Sequence, residues 1–120
     1  MKALLDTNIL IDYLNGIEAA RQEIERYDAP LISTITWMEV MAGANEEEES
    51  TIRSFLSRFT QVPITSGVAE QAVMIRKERR IRLPDAIIWA SAKSENALLV
   101  SRNVKDFPED EPGVRVPYGV

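Results

Sequence analysis

This sequence predicts an α/β fold built on a central, mostly parallel sheet, and three observations carry that prediction. Short apolar runs recur along the chain, each bounded by polar turn residues, as buried strands are. Between them lie segments whose apolar residues repeat at helical spacing. At 120 residues, with no repeat, low-complexity tract or linker, the chain reads as one domain over 1–120. Strands that are apolar on both faces need helices on both sides, which makes three layers, α/β/α, around four or five short strands.

The elements follow in order. Residues 2–6 form a strand ending on Asp6, and Asp6, Thr7 and Asn8 suit the turn and cap that must follow. NILIDYL (8–14) is a helix closed by Asn15-Gly16, and a second helix over 17–27 is broken by Asp28-Ala29-Pro30. LIST (31–34) is the second strand. Residues 36–42 return to helix until Gly43, and Thr36-x-x-Glu39 has the spacing of a capping box. Glu46 to Glu49 sit favourably at a helix start, ahead of TIRSFLSRF, where Ile52, Phe55, Leu56 and Phe59 fall on one face. QVPI (61–64) is the third strand, and Ser66 caps a helix reaching about Arg80. Pro84 opens the next helix, where its missing N–H costs nothing. ALLV (97–100) is the fourth strand and VRV (114–116) the fifth. Trp37, Met38 and Met41, with Ile9, Leu10 and Tyr13, fill core; any left exposed suits a groove for a partner's helix.

Composition narrows the chemistry. With 45% hydrophobic and 28% charged residues the chain is globular rather than disordered. Its apolar stretches are too short for a membrane span and its start does not read as a signal peptide, so the expected home is the cytoplasm. There is no Cys, which excludes disulfides and thiolate zinc sites. There is also no His, so acid-base catalysis would have to come from shifted carboxylates or metal-bound water. A net charge of −5 disfavours nucleic-acid binding by bulk attraction. A local patch remains open to it: RKERRIR (76–82) packs five cations into seven residues, suited to phosphates or simply to a solvated helix face.

In parallel sheets ligands bind beyond the carboxyl ends of the strands. Asp6 ends the first strand there, and Glu39 comes just after the second. Asp85 lies in the first turn of its helix, on the face of Ile88, Trp89 and Ala92, with no Lys or Arg expected on that stripe. Ser101, Asn103 and Asp106 follow the fourth strand. Each has an ordinary use as cap, dipole partner or turn residue, yet all fall at one edge. Carboxylates that converge without cations repel one another, and oxygen-only ligands select Mg²⁺ or Mn²⁺.

The motifs LLDTNILID, TWMEVMAGA, LPDAIIWASA and LLVSRNVKDF, in that order, resemble those of the PIN-domain ribonucleases, most nearly the VapC-like toxins of toxin–antitoxin pairs. The resemblance covers essentially the whole chain. It implies a PIN-like domain that cleaves RNA with Mg²⁺, is blocked by a cognate antitoxin, and forms a homodimer away from any membrane. Asp6, Glu39 and Asp85 match the family's acidic positions, with Asp6 and Asp85 implied as direct metal ligands and Glu39 in the metal shell or on the attacking water. Asn103 stands where many members carry a fourth acid, which weighs against a tightly held second ion, while Asp106 supplies charge through water. Two other classes share parts of the pattern. Aspartyl-phosphate phosphatases want an Asp where Asn8 stands, and a PIN-like module that binds RNA or a partner without cutting would tolerate Asn103.

Overall fold

A computed structural model describes residues 2–119 of the chain. Its elements are β1 (Ala3–Leu5), α1 (Thr7–Leu14), α2 (Glu18–Glu25), β2 (Leu31–Ser33), α3 (Thr34–Ala42), α4 (Glu49–Leu56), β3 (Thr60–Val62), α5 (Ser66–Arg79), α6 (Leu83–Ser94), β4 (Leu98–Val100) and β5 (Val114–Arg115). The five strands form one sheet in the order β3-β2-β1-β4-β5, and every neighbouring pair is parallel. The chain grows outward from β1 to β3, then crosses back to place β4 on β1's other side. That reversal makes the carboxyl ends of β1 and β4 the switch point, where a crevice opens in such sheets.

Alternation along the strands sorts the apolar residues into two cores. Leu4, Leu31 and Leu99 face one side and pack with Val68, Ala72 and Ile75 of α5 and Ile88 and Trp89 of α6. Ala3, Leu5, Ile32 and Val100 face the other and pack with Ile9 and Leu10 of α1, Ile24 of α2, Val40 of α3 and Phe55 of α4. Burial on both faces is why these strands read as unbroken apolar runs rather than as alternating ones. The three layers expected from the sequence are present. On the second face Tyr13 stacks on Phe55 at 4.7 Å, and on the first Phe107 meets Trp89 edge-on at 5.4 Å.

Some local expectations are corrected. The capping box at Thr36 does not form, because α3 starts two residues earlier with Ser33 as its cap; the Ser33 hydroxyl accepts from the Ile35 N–H at 3.2 Å. Thr36 is thereby carried into the helix and fully buried. Thr65, not Ser66, caps α5 by accepting from the Val68 N–H. The third strand spans 60–62 rather than 61–64, since Pro63 has no N–H to extend the ladder. Glu46 to Glu48 form a turn and only Glu49 enters α4. Of the proposed core residues Ile9 and Leu10 are fully buried and Tyr13, Trp37 and Met41 partly so, while Met38 is half-exposed. Among the described residues no helix is long and apolar enough to cross a membrane.

Candidate active site

Asp6 is built into the β1–α1 junction. Its backbone is extended and its carboxylate caps α1, with Oδ1 accepting from the Thr7 N–H at 2.7 Å. Oδ2 accepts from the Ser101 hydroxyl at 2.6 Å and from Asn8 Nδ2 at 3.1 Å. All three donors are neutral, and the side chain is almost wholly withdrawn from water. Burial pushes the Asp6 carboxyl up to about 6, against the pull of Ser101 and the Thr7 N–H and with added repulsion from Asp85 and Glu39.

Glu39 lies half-buried on α3 and is held by α1: the Thr7 hydroxyl donates to its Oε1 at 2.7 Å. Thr36, one helical turn earlier, shares that contact, its hydroxyl 3.0 Å from that of Thr7. The residue expected to cap α3 therefore braces the Thr7–Glu39 link. Asp85 is the third acid, buried in the first turn of α6 as its inward stripe requires. Burial raises its pKa and nearby Asp106 and Glu39 add to the rise, while Arg82 opposes it. Although no Lys or Arg shares the stripe of Asp85, Arg82 reaches this acid from outside it: its Nε donates to Asp85 Oδ2 at 3.0 Å. The sequence signal for it is the i,i+3 spacing at a helix start, which lies off the stripe that marks Asp85 as inward-facing.

Asn103 occupies a different position from the three acids. Its Nδ2 donates to Asp106 Oδ2 at 3.0 Å and its backbone N–H donates to the Ser101 hydroxyl at 3.0 Å. Asn103 thus braces the loop after β4 and reaches Asp6 through Ser101. Asp106, paired with Asn103, adds its charge to the field at Asp85. Ser101, fully buried, is the hub of this edge: it donates to Asp6 and accepts from Asn103 and from Asn8 Nδ2. Nothing in its residue type distinguishes it from an ordinary turn serine.

Every candidate ligand at this edge is an oxygen, which fits a hard divalent ion. One further oxygen supports the fit: Asn8 Oδ1 is buried with no hydrogen-bond partner among the described residues. The placement is open rather than closed. Among the described residues no three acidic groups stand close enough to surround an ion, and Asp85 is engaged by Arg82 instead.

Residues 3–109 match the PIN domain. The chain belongs to the PIN-domain family. Over 98% of its length it is 34% identical to Ribonuclease VapC10 of Mycobacterium tuberculosis, covering 93% of that protein. Over 96% of its length it is 28% identical to Ribonuclease VapC19 of the same organism, covering 98% of it. Among solved structures, a toxin–antitoxin complex from Klebsiella pneumoniae superposes with a TM-score of 0.93 at 45% identity, covering 98% of this chain and 99% of that one. VapBC2 from Rickettsia felis, bound to a DNA fragment from its promoter, gives 0.78 at 26% identity, covering 95% and 96%. In this PIN domain the fold therefore brings Asp6, Glu39 and Asp85 to one sheet edge, with Asp106 beside them and Asn103 behind Ser101.

Proposed function

We propose that this chain is a divalent-metal-dependent endoribonuclease of the cytoplasm, and that it is the toxin of a pair whose antitoxin blocks the site. The observation that carries the catalytic reading is Asp6: a buried carboxylate at the switch point, bonded only to neutral donors and facing two further acids. Such an arrangement is costly unless a cation arrives. Asp6 and Asp85 would hold Mg²⁺ or Mn²⁺, with Glu39 beside them. Bound there, the ion supplies Lewis acidity at a phosphoryl oxygen and acidity to a coordinated water. Glu39, with Oε1 fixed by Thr7, presents Oε2 to orient the attacking water and accept its proton. Ser101 and Asn8 keep Asp6 in one rotamer, so the edge is set before substrate binds.

RNA is the favoured substrate because the relatives are named ribonucleases and because cations approach this edge. Arg76, Lys77, Arg80 and Arg82 are exposed between the end of α5 and the start of α6, where phosphates would lie. Arg79 is set apart from them, tied to Glu111 and lying over Trp89. For the antitoxin, Ile11, Leu14 and Glu39 line a groove with Val40 and Ile52, and half-exposed Met38 lies on the same helix as Glu39. A helix seated there would reach the acids. Exposed Val73 and Met74 on α5 suit the homodimer that completes this reading.

A panel of tRNA, rRNA fragments and mRNA, incubated with the purified protein and Mg²⁺ or Mn²⁺, tests the proposal. Cleavage should require the ion, stop with chelator, and disappear in Asp6→Asn. The engaged state of Asp85 favours one rival, a module that binds RNA or a partner without cutting. Metal-independent RNA binding with no cleavage in any arm would establish that rival.

A further inference from the structure

Arg82 stands in an unfavourable place for a cation. It is the N-cap residue of α6, where the helix dipole repels positive charge, and its side chain caps nothing. The side chain is 73% exposed, yet Nε is held 3.0 Å from Asp85 Oδ2, whose own side chain is 7% exposed. Asp85 is the main stabiliser of the guanidinium, and Glu39 and Asp106 add to it. An exposed cation is therefore paired with a candidate ligand.

The backbone beneath it is fixed. Arg80 ends α5 in the left-handed region at φ 55, its N–H donating to the Arg76 carbonyl. Ile81 is buried, and the Arg82 carbonyl accepts the first helical bond, from the Ala86 N–H at 3.0 Å. Above this backbone the Arg82 side chain is exposed, and its hydrogen bond to Asp85 is what holds it. Arg79 and Arg102, by contrast, are tied to other acids, Arg79 to Glu111 and Arg102 to Asp12 by two hydrogen bonds.

We propose that Arg82 is a counter-ion in cis that shares Asp85 with the divalent ion, neutralising the acid while the site is empty and leaving when the ion arrives. The inference rests on the metal reading above. While Arg82 holds Oδ2 it withholds charge and a lone pair from an ion, and a pair whose cation is this exposed is weak enough to be displaced without disturbing the fold. Arg82 thus sets the ion concentration at which the site loads.

Calorimetric titration with Mn²⁺ of wild type, Arg82→Gln and Arg82→Lys tests it, with melting curves in chelator alongside. Arg82→Gln should bind Mn²⁺ roughly tenfold more tightly, while Arg82→Lys, which keeps the charge, should stay within about twofold of wild type. In chelator Arg82→Gln should melt about 2 °C lower, and Mn²⁺ should then raise its melting point by more than it raises that of wild type. Equal Mn²⁺ affinity in wild type and Arg82→Gln would overturn the proposal and leave the metal reading standing. If none of the three proteins binds Mn²⁺, the metal reading fails and the proposal falls with it.

Discussion

Asp12 and Glu23 are as withdrawn from water as Asp6 and Asp85, yet the two pairs are treated in opposite ways. Asp12 on α1 accepts two hydrogen bonds from Arg102, at 2.6 and 3.0 Å, and a third from the Tyr118 hydroxyl. Glu23 on α2 accepts two from Arg115, at 2.7 and 2.9 Å, and a third from the Tyr27 hydroxyl. Each receives a forked arginine and a tyrosine. Arg102 holds the Asp12 carboxyl below its ordinary range; burial alone would raise Glu23, but Arg115 and Tyr27 outweigh it. Asp6 has only neutral partners and Asp85 a single arginine contact, and burial keeps both raised. This fold can supply full compensation to a buried acid. Where it withholds it, the proposed function has the negative charge met by a divalent ion.

The comparison is broken most directly by exchanging charge for an isosteric amide in each region. Asp6→Asn or Asp85→Asn should cut RNA cleavage by roughly 100-fold or more while leaving metal-free stability unchanged or improved. Glu23→Gln should do the reverse, keeping activity per folded molecule and losing about 2 kcal/mol in urea denaturation. The loss stays below that of a fully buried pair because the Arg115 side chain is 34% exposed. Equal destabilisation by all three changes would make the two regions alike and remove the case for a catalytic edge.

A smaller effect separates them by pH. Asp6, raised from 3.8 to about 6, favours the folded state fully below its unfolded value, and that contribution is lost as pH rises through 6. Asp12 and Glu23, both lowered, work the other way: their stabilisation is present above their unfolded values and is lost only as pH falls through the folded ones. Between pH 7.5 and 5.5 only the first set titrates. Metal-free protein should therefore gain on the order of 1 kcal/mol on acidification to pH 5.5, roughly 4 °C in melting temperature, and Asp6→Asn should flatten the curve.

The smallest expected change tests where the edge stops. Asn103→Asp removes the donor to Asp106 and sets two carboxylates against each other, at a cost of about 0.5 kcal/mol without metal. Mn²⁺ should recover that loss and bind more tightly to the variant in calorimetry. An unchanged affinity would leave Asn103 as a loop brace alone.

The contrast also marks what can be read along a chain and what cannot. The strands and helices were legible because burial on two faces writes unbroken apolar runs, and helices write a 3.6-residue period. Asp6, Glu39 and Asp85 were legible because strand ends in a parallel sheet share one edge. Thr36–Glu39 misled because spacing shows which residues are near, not where the helix begins; Ser33 began it two residues sooner. Arg82 was legible as a cation of the 76–82 cluster but not as the partner of Asp85, because an N-cap residue lies off the inward stripe. The forked arginines of Asp12 and Glu23 lie 90 and 92 residues away, so no local pattern announces them.

That separation has a consequence in time. A ribosome adding on the order of 5–20 residues per second takes roughly 5–20 s to pass from these acids to their arginines. Throughout that interval Asp12 lacks its forked arginine, and Glu23 has only the exposed Arg26, 3.7 Å away, in place of Arg115. Arg102 and Arg115 are late keystones: full compensation of Asp12 and Glu23 waits for the same carboxyl-terminal segment that brings Ser101 to Asp6.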